Sequence, residues 1–212
     1  SQVMRAKLPG VDSQYAYSIY ICAGILTWGL FSDLVLRSQN MFLDNANLIK
    51  KINFPKLCLP VTVIGSALVN FFIIFSLFTI FLIVTNDFPG FAYLALIPVL
   101  IVMIILAMGI GIITGVLNVF FRDVGQFFGI VLQFWFWLTP IIYPATILPA
   151  SIHPLMKINP MASVIEACQK ILVSGVFPSW LGLIYPLSLG IILCFIGLHL
   201  FRKHIGEMVD EL

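Results

Sequence analysis

Apolar residues in this chain fall in long, nearly unbroken runs, not in the alternating or three-to-four spacing of a water-soluble fold. Five runs read as spans, at residues 15–36, 57–84, 91–119, 124–143 and 180–201. About 20 apolar residues in helical form cross the roughly 30 Å of hydrocarbon in a bilayer. Lipid offers the backbone no partner, so runs of this length satisfy themselves as helices and not as barrel strands. The pattern predicts an all-α polytopic membrane protein, a single domain over residues 1–212 with five transmembrane helices. Residues 1–14 read as a leading loop and 202–212 as a polar tail. Between the spans, Asn86-Asp87-Phe88-Pro89-Gly90 predicts a tight turn and Phe121-Arg122-Asp123 a short charged corner. Residues 37–56 form a longer polar loop.

Residues 145–179 are too apolar for an ordinary loop, and Pro149, Pro154, Pro160 and Pro178 cut them into short pieces. The longest, 161–173, makes a helix of about 20 Å, too short to span. A re-entrant or interfacial helical hairpin before the last span fits, provided protein or a water-filled cavity covers its breaks. Within it Glu166 and Lys170 stand at i, i+4 with the glutamate first. They read either as a mutually neutralising helix pair or as a polar contact for cargo.

Just before that hairpin runs Gln133-Phe134-Trp135-Phe136-Trp137-Leu138-Thr139-Pro140-Ile141-Ile142-Tyr143-Pro144. Successive helical residues turn by about 100°, so the four consecutive rings encircle their helix. Phe134 and Trp137 share a face with Ile141, while Trp135 and Phe136 point elsewhere, to lipid or to neighbouring helices. Trp137 and Tyr143 also lie toward a membrane interface, where an aromatic belt is ordinary. The rings therefore have two readings, belt and packing or the lining of a path. Pro140 and Pro144 mark where the span gives way to the hairpin.

Composition sharpens the membrane reading. The 212 residues are 61% hydrophobic and 9% charged, against about 25% charged residues in soluble domains. A net charge of +2 gives no reason to expect nucleic acid. Cys22, Cys58, Cys168 and Cys194 form no Cys-x-x-Cys pair and read as small apolar-helix residues. His153, His199 and His204 make no metal-ligand spacing. No metal site and no catalytic residue is expected.

Lysine and arginine set the orientation. One side holds Arg37, Lys50, Lys51, Lys56, Arg122, Arg202 and Lys203, and the other Arg5, Lys7, Lys157 and Lys170. The richer side, with shorter loops, is expected to be cytoplasmic, which puts the N-terminus outside and the C-terminus inside. Five spans with an outside start, beginning at Ser1, read as a chain that lacks a preceding span.

No Gly-x-x-x-x-Gly-Lys-Ser/Thr stretch occurs, so this chain does not cradle nucleotide phosphates in a P-loop. Gly109, Gly111 and Gly115 lie inside a span at the wrong spacing for a dinucleotide fingerprint. Gly111 and Gly115 instead make a small-xxx-small face for helix packing. Asp33, the one acidic residue inside an expected span, lies near a membrane edge and within reach of Arg37. In the loop that follows, Asp44 or Asn45 can cap a short helix, Lys50 and Lys51 suit its C-terminal end, and Pro55 stops it. Leu48, Ile49 and Ile52 give it an apolar face. It either lies on headgroups or docks into a groove on a cytoplasmic partner.

The stretches Asn47 to Pro55, Phe120 to Val124, Thr139 to Pro144 and Asn159-Pro160 occur in order at suitable distances. Together they resemble the permease subunit of an ABC-2 type transporter, and within that family the Wzm branch, which exports lipid-linked O-antigen polysaccharide. The likeness extends to teichoic-acid exporters. The resemblance implies six spans, the first missing here, in the bacterial inner membrane with this chain's N-terminus periplasmic and its C-terminus cytoplasmic. It implies a homodimer above two separate ATPase subunits, which bind the ATP and magnesium, so this chain needs no cofactor. Contacts with the ATPase would fall to Asn45, Asn47, Leu48, Ile49, Lys50, Lys51, Ile52 and Phe54, with Arg122 and Asp123 a second contact or a helix-end ion pair. Phe134, Trp137 and Tyr143 are the candidates for a glycan path. An ABC-2 exporter of a drug or small lipid is the alternative. A membrane transferase acting on lipid-linked sugar would need convergent acids or a histidine base, which the sequence lacks.

Overall fold

The computed structural model describes residues 15–50, 58–143, 156 and 158–211. Its helices are α1 (Ala16–Asp44), α2 (Ala46–Ile49), α3 (Cys58–Val84), α4 (Leu96–Phe120), α5 (Asp123–Leu138), α6 (Pro160–Ser174) and α7 (Trp180–Glu211). A 3-10 helix at Gly90–Ala95 leads directly into α4. Among the described residues all regular structure is helical, as an all-α polytopic membrane protein requires.

Four helices are long and apolar enough to cross a membrane: α1, α3, α7 and the continuous Gly90–Phe120 unit. The fifth expected span is shorter than the apolar run suggested. α5 has 16 residues, about 24 Å, and ends at Leu138. Pro140 disfavours helical backbone at the residue before it, and Thr139 is extended (φ −102°, ψ 135°). Conversely, α1 and α7 run well past the ends of their apolar runs. Hydropathy marks the part of a helix that lipid surrounds; packing decides where the helix stops. Met41 and Phe42 are buried in the added turns of α1, and the Phe42 ring stacks on Phe201 of α7 with centroids 5.0 Å apart. The tight turn is present, with Asn86 and Gly90 both left-handed (φ 59° and 63°).

The core forms around α4, which lies between α1 and α7 and packs extensively on both. Without a hydrophobic drive between helices in lipid, association depends on backbones that come close. Toward α1, a Cβ on Gly111 would overlap Ser38, and one on Gly115 would lie 2.9 Å from the Ser38 carbonyl and 3.2 Å from the Phe42 ring. Ser38 Oγ also donates to Met108 Sδ at 3.2 Å. Toward α7, a Cβ on Gly109 would lie 2.7 Å from Leu193 Cβ, and one on Gly190 would lie 2.9 Å from the Leu106 backbone. The glycines of α4 therefore serve two neighbours, and Gly109, which the spacing argument set aside, serves the second.

α3 runs antiparallel to α1, with Tyr15 edge-on to Phe81. It buries one stripe, Ala67, Phe71, Phe75, Phe78 and Leu82, and leaves Val69, Phe72, Ile73, Leu77 and Ile80 exposed. Such a surface suits hydrocarbon and would be an aggregation hazard in water. Gly115→Leu should force α1 and α4 apart and cost about 1–3 kcal/mol, typical of overpacking. A lowered thermal unfolding midpoint in detergent checks this, with Gly129→Leu, where a Cβ would meet nothing within 4 Å, as the control that stays near the parent value.

Candidate functional site

The four rings of α5 divide two and two. Trp135 and Phe136 turn inward against Trp28 of α1, at 6.0 and 5.8 Å, and Trp135 also meets Phe31 edge-on at 5.4 Å. Phe134 and Trp137 turn outward and are 68% and 65% exposed. They continue a row with exposed Phe127 and Ile130, and exposed Gln126 and Gln133 stand among them. Leu132 is the single buried residue of the helix. Ile141, expected on the face of Phe134 and Trp137, is fully buried, because the helix ends three residues before it. Tyr143 folds back to the same end, and its hydroxyl donates to the Trp137 carbonyl at 2.8 Å. That bond satisfies a carbonyl of the last helical turn, and it brings Tyr143 beside Trp137 in space.

The bent strip 139–143 has left the helix ladder, and its carbonyls need other donors. Gln169 of α6 supplies one, with Nε2 3.2 Å from the Ile141 carbonyl. Tyr17 and Tyr20 of α1 supply others, their hydroxyls reaching the Ile142 and Tyr143 carbonyls at 3.4 and 3.3 Å. Gly24 makes room for this meeting: a Cβ there would lie 2.9 Å from Gln169 Nε2 and 3.2 Å from the Ile141 carbonyl. The sequence reading singled out neither tyrosine, nor Gly24, nor Gln169. A glutamine between the apolar residues Cys168 and Ile171 was the available signal, since once buried it requires a partner.

Asn159 closes the arrangement. Its Oδ1 accepts from the Trp135 indole N–H at 2.8 Å and from the Met161 amide at 3.1 Å, and its Nδ2 donates to Thr139 Oγ1 at 2.9 Å. Thr139 Oγ1 donates in turn to the Trp135 carbonyl at 2.7 Å. Asn159 thus caps α6 with Pro160 in its first turn, while Gly175 (φ 61°) ends that helix. Two stretches that carried the family resemblance, the one at Thr139 and the one at Asn159, touch here. Glu166 and Lys170 pair at 2.6 Å with both side chains half exposed. Residues 144–155 and Lys157 of the expected hairpin lie outside the described residues.

At the other end of the molecule, Asn45 does not cap α2 with its side chain. Its Nδ2 donates to the Met41 carbonyl at 2.8 Å, closing α1. The segment after it is a single turn, α2, in which Ile49 is buried, Leu48 half-buried, and Asn47 and Lys50 exposed. Lys51, Ile52 and Phe54 lie outside the described residues. Arg122 and Asp123 are both exposed, and among the described residues no ion pair joins them. Asp123 stands in the first turn of α5, where the helix dipole favours a negative charge. Asp33 accepts from Arg37 Nε at 2.7 Å. Among the described residues, no three histidine, cysteine or acidic side chains are grouped to hold a metal ion.

The sequence matches the ABC-2 type transporter family over residues 3–173. An O-antigen export system permease protein RfbA from Klebsiella pneumoniae is 29% identical to it, over 95% of this chain and 75% of the relative. Another O-antigen export system permease protein RfbA, from Myxococcus xanthus, is 25% identical over 99% of this chain and 79% of its own. The polysialic acid transport protein KpsM of Escherichia coli is 22% identical over 99% of this chain and 80% of its own. The chain belongs to the ABC-2 type transporter family and is a membrane transport subunit, not an enzyme.

Replacing Asn159 with alanine removes a helix cap and leaves the Trp135 indole N–H without its acceptor. The expected loss is about 2 kcal/mol, read as a lower unfolding midpoint in detergent. Glu166→Gln, which touches only a half-exposed ion pair, should leave that midpoint within about 1 °C, because such pairs contribute little.

Proposed function

We propose that this ABC-2 transporter chain is the permease subunit of a polysaccharide exporter, and that two copies form the passage. The outward face of α5 carries the reading. It combines Phe127, Ile130, Phe134 and Trp137 with two glutamines. A face turned only to lipid has no use for two amides, and polar side chains in membrane-depth helices turn to a bundle interior or a wet cavity. A second copy apposed across this face would turn the rings and amides into a lining. Rings stack on the apolar C–H faces of sugars without fixing one register, and amides meet hydroxyl groups. Both suit a polymer that slides. The export of O-antigen and the transport of polysialic acid by relatives matched along nearly the whole chain support the same cargo class.

The cargo is a glycan on a polyprenyl diphosphate lipid, carried from the cytoplasmic to the periplasmic face of a bacterial inner membrane. Two ATPase subunits sit on the α2 side, which the lysines and arginines assign to the cytoplasm. They bind the ATP and magnesium. Closure of the ATPase pair on ATP pushes on residues 45–54, the coupling segment, and on the Arg122-Asp123 corner. Phe134, Trp137 and Tyr143 stand together at the opposite end, near the periplasmic exit. Export of a drug or small lipid is the competing reading, and a transport assay on the assembled complex with each cargo separates the two.

Phe134→Ala with Trp137→Ala should slow polysaccharide export about thirtyfold, each ring contact being worth about 1 kcal/mol, while the complex still assembles. Export at the parental rate from that double variant removes the rings from the path. Lys50→Glu with Lys51→Glu should release the ATPase or uncouple its hydrolysis from transport. Co-purification of the partner with unchanged transport would exclude docking through these lysines.

A further inference from the structure

Gly125 stands in the first turn of α5, and side-chain amides from two other helices hold its backbone. Its N–H donates to Asn118 Oδ1 of α4 at 2.9 Å, and its carbonyl accepts from Gln39 Nε2 of α1 at 3.2 Å. Asn118 Nδ2 donates to Asn40 Oδ1 at 3.2 Å and reaches the Gln39 carbonyl at 3.4 Å. Gln39 is 1% exposed and Asn118 2%. A Cβ on Gly125 would lie 2.9 Å from Asn118 Oδ1 and 3.2 Å from Gln39 Nε2. A glycine is what lets both amides reach the same backbone unit.

One atom of this clamp has no donor among the described residues, the buried Gln39 Oε1. Turning the amide over would not help, because it would set oxygen against the Gly125 carbonyl. A buried acceptor without a donor is costly, so the clamp is not fully paired in this arrangement.

We propose that the Gln39–Asn118 clamp on Gly125 is the positioning link by which displacement of the α2 end of α1 moves α5. Gln39 lies little more than one turn before Asp44, where α1 ends and leads into α2. Gly125 lies at the foot of the helix that carries Phe134 and Trp137, about 18 Å along the axis from Trp137. With Leu132 its single buried residue, α5 is tied to the bundle chiefly near its two ends, by this clamp at the foot and by the Trp135 and Phe136 contacts at the far end. The clamp thus makes Gln39 and Asn118 positioning residues, which act through Gly125 and touch neither cargo nor ATPase. This rests on the coupling role proposed for the α2 segment.

The test uses the full-length complex with its ATPase in lipid nanodiscs, the native cysteines replaced by alanine. Spin labels at D44C, F127C and E207C report the ends of α1, α5 and α7, with and without a non-hydrolysable ATP analogue. In the parent, α1 and α5 should both shift relative to α7 while their mutual distance holds. With Gln39→Leu or Asn118→Leu, α1 should shift as before and α5 should follow by less than about half. Gly125→Ala breaks the clamp from the other side and carries the same expectation if either leucine variant fails to assemble. A purely structural role would lower stability and leave the following motion intact. Undiminished motion of α5 in assembled clamp variants therefore overturns the link alone. Absence of any nucleotide-dependent shift of α1 in the parent overturns the coupling reading, and the link with it. Neither outcome depends on which cargo is exported.

Discussion

The fold depends on how closely α4 approaches its two neighbours. Inside a bilayer, burying a leucine against another helix gains little over leaving it in lipid, so association has to come from close-packed backbone and short polar contacts. α4 meets this with glycines on two faces, Gly111 and Gly115 toward α1, and Gly109, matched by Gly190, toward α7. The three helices pack into one close block. α3, joined to α1 along one stripe, and α5, held chiefly near its two ends, keep larger uncovered faces. The block supplies the frame on which these two helices are hung.

A second constraint shapes the end of α5. Pro140 stops the helix within the depth of the chain's apolar region, and a stopped helix leaves carbonyls that lipid does not satisfy. Tyr17 and Tyr20 of α1 and Gln169 of α6 answer that need, and Asn159 holds the Thr139 hydroxyl beside them. The result ties α6 to both α1 and α5, and it fixes Trp135 inward through its indole N–H. Once Trp135 is held that way, the helical turn presents Phe134 and Trp137 on the opposite, uncovered face. A bond to Asn159 therefore helps decide which two rings of α5 face outward.

Much of the architecture was legible in the residues. Run length alone predicts α1, α3, α4 and α7, and the proline-free piece 161–173 marks α6. The small-xxx-small spacing points to Gly111 and Gly115. The ends of α1 and α7 were not legible, because helix continues wherever packing such as Phe42 on Phe201 rewards it, with or without an apolar run. Likewise the capping role assigned to Asn45 failed, because the Met41 carbonyl competes for the same side chain. Gln39, Asn118 and Gly125 carry no pattern of their own. They lie far apart along the chain, and nothing local marks them as partners.

By itself the sequence determined the medium, the helical class, four of the five expected spans and the family, because these depend on composition, run length and ordered motifs. The tertiary structure decided the facing of the four α5 rings, the partners of Asn118, Asn159 and Gln169, and the true end of α5. Those choices rest on contacts between residues distant in the chain. A turn of 100° per residue says that four consecutive rings must diverge; the placement of Trp28, Phe31 and Asn159 says which two turn inward.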